Sequence, residues 1–276
     1  MQIHPRYDGE PMIDVRHDPV AAVVAGARQR RRLAAALGTL DDAQWAAPSR
    51  CDGWTVRDVV SHLTSANGFW SVSISSALDG APTRFLDGFD PKATPAALAA
   101  ADPSGPAEVL ERFVASADAL CAATEALGPE DLAKLAEAPP GHIALHVVLL
   151  HALWDSWVHE RDILLPLGLP VREEADEITG SLRYGVALAP AFVLSGDPTR
   201  RGALGVSVVD PDLECWVEVG TSVVVHEGPA PAGTPTIRGR GVDVLEAVSV
   251  RRTLEVDIAD DQRWLVDGLA EVFEEA

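Results

Sequence analysis

The feature that most restricts the fold of this chain is a change in the period of its apolar residues. Up to Leu194 they recur at helical spacing, from Gly205 to His226 they alternate in short β-branched runs, and from Val242 helical spacing returns. A chain that changes period in this way has two kinds of surface to bury, a helix stripe and a sheet face, so an α+β fold in two parts is expected. Its 276 residues are enough for two cores, and a hydrophobic content of 47% fills them. The expected division is a helical bundle at 1–170, a connecting helix at 171–200 and a small α+β domain at 201–276.

In the first part, Asp18 and Pro19 read as the N-cap and first position of a helix ending at Leu37. Thr55 and Asp58 have the form of a capping box, and Val56, Val59, Val60 and Leu63 continue it as an apolar stripe. Residues 79–106, rich in Pro, Gly, Asp and Ala, read as a long connection holding one short helix. Helical patterns follow at 106–127, 141–167 and 173–194. The first four long helices, with one extended crossover, predict a four-helix bundle, the kind of fold that builds metal sites from facing helices. In the second part, 205–209, 215–219 and 223–226 predict antiparallel strands, 236–238 a further strand, and 242–250 and 261–273 helices.

Charge narrows the partners. With 42 acidic against 22 basic residues the net charge is -20, which argues against nucleic acid and anionic membranes as ligands. The one basic run, at 28–32, is expected on a solvated helix face. Cys51, Cys121 and Cys215 are odd in number and lack CxxC spacing, so they are expected to be ordinary thiols. The first ten residues lack the apolar core of a secretory signal, and no run of 18 apolar residues occurs. A cytoplasmic monomer or homodimer acting on a small molecule is the expectation.

His151, Asp155, His159 and Asp162 are spaced by four, four and three, which puts them on one face of the 141–167 helix. Asp155 and His159, one turn apart, can reach a common metal ion, and His62 on a facing helix would make a third ligand. Two histidines, a carboxylate and an open position suit zinc or non-haem iron, and zinc is the first choice. By spacing alone a D-x-x-x-H pair is more often a hydrogen-bonded couple, and a lone interior histidine more often core. His151 has three readings: an alternative ligand, a support for the ligands, or core. Asp162 either orients an imidazole or closes a salt bridge with Arg161 or Arg57. Trp54, Trp70, Trp154 and Trp157 gather near these positions as pocket wall or as core, and Trp54 and Trp157 are the candidate cofactor contacts.

The segment from Cys51 to Leu63, C-D-G-W-T-V-R-D-V-V-S-H-L, resembles the C-x-G-W-T-V-x-D-x-x-x-H-L signature of the mycothiol-dependent maleylpyruvate isomerase family. Trp157-Val-His159-Glu-Arg-Asp162 resembles that family's E-x-W-x-H-x-x-D helix, with Asp155 in place of the glutamate. Thr236 to Leu245 and the Arg251-Arg252 pair resemble its sterol-carrier-like C-terminal domain. The resemblance implies a DinB-like metal-binding bundle with His62, Asp155 and His159 as ligands, and mycothiol as thiol cosubstrate. A metal-bound thiolate can add to an electrophile and stay, or add to a double bond and leave after rotation. An S-transferase or thiol-exchange enzyme is the first expectation, because the long 79–106 loop leaves room for a bulky substrate. A cis–trans isomerase, a non-catalytic ligand-binding member and a hydrolase are the alternatives. Asp162 and Arg251 are the candidate catalytic side chains.

Overall fold

The computed structural model describes residues 3–18 and 20–273. Strand β1 (Ile13–Val15) precedes the helices α1 (Ala21–Leu37), α2 (Asp42–Trp45), α3 (Val56–Leu78), α4 (Ala93–Ala101), α5 (Pro106–Glu125) and α6 (Pro129–Leu132). A hairpin of β2 (Leu135–Ala138) and β3 (Gly141–Ala144) leads into α7 (Leu145–Leu164) and α8 (Ala175–Gly196). The chain ends in β4 (Gly202–Val209), β5 (Leu213–Val219), β6 (Val223–Glu227), β7 (Thr236–Arg240), α9 (Gly241–Val248) and α10 (Trp264–Phe273).

Helices α1, α5, α3 and α7 form a ring in which each packs on two neighbours, which is the expected bundle. The start of α3 is set locally: Thr55 accepts from the Asp58 amide, and the Asp58 carboxylate accepts from the Thr55 amide at 3.0 Å. At α1 the chain differs from expectation. Asp18 accepts from the Val20 amide at 3.0 Å, and the helix begins only at Ala21. Pro19 lies outside the described residues.

The sheet runs β1-β6-β5-β4-β7, antiparallel through β6, β5 and β4, with β1 parallel to β6 and β7 parallel to β4. Along β5 the side chains of Leu213, Cys215, Val217 and Val219 face the core, while Glu214 and Glu218 face water, the period-2 pattern that predicted the strand. Helix α8 lies between the layers, packed on α7 and α1 and against β1, β5, β6, α9 and α10. It is long and apolar enough to cross a membrane, with a mean hydropathy of 1.2 in a window that is 83% buried. Burial on both sides accounts for that composition.

Three expectations are corrected. The pattern beginning at Gly141 is a strand before it is a helix, because residues 135–144 form a hairpin and α7 starts at Leu145. Gly141, at φ 124°, lets the N-terminal segment lie against this hairpin, since a Cβ there would stand 2.2 Å from the Arg6 carbonyl oxygen. Residues 13–15, counted with the bundle, are an edge strand of the C-terminal sheet. Finally, the basic run at 28–32 is a solvated face only at Arg31, which pairs with the exposed Glu125. Arg30 is buried, donating to Asn67 Oδ1 and the Ala152 carbonyl, while Arg28 and Arg32 pair with the buried carboxylates of Glu177 and Glu160.

Candidate metal centre

Two elements supply the central side chains. His62 projects from α3, two turns after its capping box, and α7 presents Asp155 and His159 one turn apart. Asp155 Oδ1 lies 3.8 Å from His62 Nε2 and 3.6 Å from His159 Nε2, and the two rings meet edge-on with centroids 5.0 Å apart. One ligand atom from each of the three falls within 4.8 Å of the others. Separations of 3.6 and 3.8 Å are long for hydrogen bonds, and they lie within a few tenths of the roughly 3.0–3.5 Å edge between ligands held 2.0–2.2 Å from one ion. This donor set therefore fits a divalent metal. Asp155, though shorter than glutamate, reaches both imidazoles.

Behind His159 stands Asp162, whose Oδ2 is 3.0 Å from His159 Nδ1. A carboxylate on that nitrogen fixes the tautomer that turns the Nε2 lone pair towards Asp155 and His62. Asp162 is itself held by Arg251, whose Nε donates to Oδ1 and whose second terminal nitrogen donates to Oδ2, both at 2.9 Å. Asp162 thus both orients an imidazole and closes a salt bridge, with Arg251 rather than Arg161 or Arg57. Arg161 pairs with Glu246, and Arg57 with Asp58. Arg252, next to Arg251 in sequence, turns away to Asp243 at the surface.

Electrostatics follow from this crowding. Burial favours a neutral His159, but hydrogen bonds to Asp162 and Cys51 and the charge of Asp155 outweigh it and push its pKa up to about 10. Burial also works against charge on Asp155 and Asp162. For Asp155 the nearby His62 and His159 overcome this, and for Asp162 His159 and Arg251 do, so both carboxyls stay well below the usual carboxylate range. A cation entering this site would have to displace the His159 proton.

His151 lies one turn before Asp155 but outside the three-atom set. It is buried against Trp70, Trp154 and Tyr184, and its Nδ1 shares a hydrogen bond with the Tyr184 hydroxyl. Burial lowers its pKa to about 4, with His62 adding to the effect and Asp155 opposing it. The aromatic residues divide. Trp54 meets the His62 ring edge-on at 5.5 Å and walls the site, whereas Trp157 is 1% exposed with the Arg161 guanidinium over its ring. Trp157 is corrected from cofactor contact to core: two residues from His159 on a helix is about 200° round the axis, facing away.

Cys51, expected to be an ordinary thiol, stands against the outer face of the His159 ring. Its Sγ is 3.7 Å from His159 Nδ1 and 3.3 Å from Asp162 Oδ2. A tight turn with Gly53 at φ 75° fixes it, and the Arg50 amide ties the turn to α7 through the Asp162 carbonyl. Arg50 and Glu246 were missed as well. Arg50 reaches Asp162 at 3.5 Å and Glu246 at 2.8 Å, and Glu246 also accepts from Arg161. The signal for Cys51 was its place at the head of the signature that ends in His62-Leu63. Arg50 and Glu246 have no sequence signal, because their pairing joins distant segments.

The family model for the mycothiol maleylpyruvate isomerase N-terminal domain matches residues 27–164. Among solved structures, the crystal structure of the mycothiol-dependent maleylpyruvate isomerase is similar with a TM-score of 0.59 and 13% identity, covering 88% of this chain and 96% of that one. A histidine-to-alanine mutant of that enzyme is similar to the same extent, with a TM-score of 0.58, 13% identity, and coverage of 88% and 96%. YfiT from Bacillus subtilis, a probable metal-dependent hydrolase with an unusual four-helix bundle topology, aligns over 60% of this chain and 94% of its own, at a TM-score of 0.43 and 18% identity. No curated protein matches the sequence.

Proposed function

The chain belongs to the mycothiol maleylpyruvate isomerase family by the match over residues 27–164, and from that premise we propose that it is a zinc-dependent, mycothiol-using S-transferase or thiol-exchange enzyme acting on a small electrophilic metabolite. The observation that carries this reading is the convergence of His62, Asp155 and His159, backed by Asp162, between two facing helices. Zinc bound there would lower the pKa of a coordinated thiol and supply a thiolate at neutral pH.

The protein's own groups have separable tasks. Asp162 keeps the His159 Nδ1 proton and so holds Nε2 free as a donor. Asp155 brings the negative charge that balances the cation. Trp54, edge-on to His62, gives the thiol and its partner an apolar wall. In the transfer itself the S–C bond forms as the bond from carbon to the leaving group breaks. The leaving group departs with that electron pair, and the thiol proton passes to solvent or to the leaving group.

Transfer is favoured over isomerisation of a dicarboxylate by the state of the arginines. Two carboxylates need a convergent pair of free guanidinium groups, and the pair that does converge, Arg50 and Arg251, is already bound to Asp162 and Glu246. The test is incubation of zinc-loaded protein with mycothiol and either a monofunctional alkylating electrophile or maleylpyruvate. A mycothiol S-conjugate detected by mass spectrometry supports transfer. Turnover of maleylpyruvate with no S-conjugate from the electrophile would establish the isomerase instead.

A further inference from the structure

His159 is shared by two donor sets, one on each ring nitrogen. Nε2 belongs with His62 and Asp155, while Nδ1 belongs with Cys51 Sγ and an Asp162 oxygen, and this second set also lies within 4.8 Å. Its internal separations are 3.0 Å from His159 to Asp162, 3.3 Å from Cys51 to Asp162 and 3.7 Å from Cys51 to His159. A thiolate at about 2.3 Å and nitrogen and oxygen ligands at about 2.0–2.2 Å from one zinc or cobalt ion would be separated by much the same distances. By chemistry the second set is the softer, since it alone contains sulfur.

What distinguishes the two sets is a cation already in place. Arg251 grips both oxygens of Asp162, and its terminal nitrogen is 3.7 Å from Cys51 Sγ, so the guanidinium occupies the neighbourhood a metal would need. The residue is anchored there: it donates to the Ser249 carbonyl at 3.3 Å, its amide donates to the Glu246 carbonyl at 2.8 Å, and Trp154 holds Ser249 at 2.8 Å. Arg50, 3.5 Å from Asp162, adds a second positive charge on the same side. No guanidinium is paired to Asp155 among the described residues.

We propose that Arg251 is a built-in counter-cation that closes the Cys51–His159–Asp162 set to metal and confines the metal to the Nε2 face of His159. The inference rests on the reading of His62, Asp155 and His159 as the working metal site, and adds how the protein avoids a competing one. Without the positive charge at 251, a metal entering the second set would displace the Cys51 thiol proton and the His159 Nδ1 proton to solvent and take up a sulfur ligand. That would tie up a partly buried thiol beside the site and remove the support for His159.

Cobalt(II) reports the two sites separately on the full-length protein. Wild type is expected to take up cobalt with visible d–d absorption that is lost in His62→Ala, and with no thiolate-to-cobalt charge-transfer band in the near ultraviolet. Arg251→Gln should gain that band together with a further equivalent of cobalt, and should lose it again when Cys51→Ser is added. Arg251→Lys, which restores the charge, should lack it. Arg251→Gln that is folded by circular dichroism yet shows no near-ultraviolet band at saturating cobalt overturns the proposal, as does such a band in wild type. A band in Arg251→Gln alongside no d–d absorption in wild type defeats the functional reading, and with it the confinement of metal to the Nε2 face, while upholding the closing of the Cys51 set by Arg251. A second measurement needs no variant: Cys51 in zinc-loaded wild type should still be alkylated to completion, and full protection by stoichiometric zinc overturns the proposal.

Discussion

His62 Nε2 lies 3.8 Å from Asp155 Oδ1, across the gap between α3 and α7, with no proton bridging the two at hydrogen-bond distance. Two groups held at that spacing by separate helices are placed for a shared ion. His62→Ala, Asp155→Ala and His159→Ala are each expected to reduce zinc from about one equivalent to background in dialysed protein measured by plasma mass spectrometry. Asp155→Glu, which restores the carboxylate of the family pattern, should retain it. Full zinc in all three alanine variants would place the metal elsewhere.

Asp162 touches the metal set only through the His159 Nδ1 hydrogen bond of 3.0 Å. Asp162→Asn should therefore weaken zinc binding by about 10–100-fold without abolishing it. A competition titration against a chromophoric chelator reads this directly, and an unchanged affinity would mean that His159 is oriented by its packing alone.

The buried His151 makes a pH prediction with a defined sign. Its folded pKa, lowered to about 4 by burial, lies below the unfolded value of 6.5, so the unfolded chain takes up the proton first as pH falls. Stability is fully present above the unfolded value and is lost as pH falls towards about 4, by about 3 kcal/mol from this group. Urea unfolding of metal-free protein across that window should show the loss. In His151→Gln, which can still accept from Tyr184 but does not titrate, the loss should be smaller.

Glu177 is fully buried and pairs with Arg28 at 2.9 Å and Arg32 at 2.7 Å, linking α1 to α8. Arg28 keeps Asp176 and Arg32 keeps Glu160 when this carboxylate is removed, so Glu177→Ala should cost about 1–3 kcal/mol, the cost of lost charge-assisted hydrogen bonds. Glu177→Gln keeps an acceptor and should cost less. Denaturant midpoints of the two variants, compared at equal slope, check this, and equal midpoints for both variants and wild type would mean that Asp176, Glu160 and water satisfy the arginines without Glu177.

Much of the site was legible because it is local. Asp155, His159 and Asp162 share a face by helix period, and the capping box at Thr55 sets the phase of α3 that brings His62 inward. The same period shows why Trp157 was misread: its distance from His159 in sequence is small, but its direction from the axis is nearly opposite. The hairpin at 135–144 was hidden because an apolar run leading into a helix looks the same whether it begins as strand or helix.

Periodicity, caps and the change from helical to alternating spacing, all set by neighbours within a few residues, were enough for the sequence alone to determine the α+β class, the bundle and the shared face of Asp155, His159 and Asp162. Only the tertiary structure decided that Arg251 meets Asp162, that Cys51 stands beside His159, that Glu246 joins Arg50 to Arg161, and that residues 13–15 complete the C-terminal sheet. Those pairings depend on how helix and sheet layers close on one another. Such closure brings together charges from segments far apart in the chain, and no local pattern of side chains encodes which of them will meet.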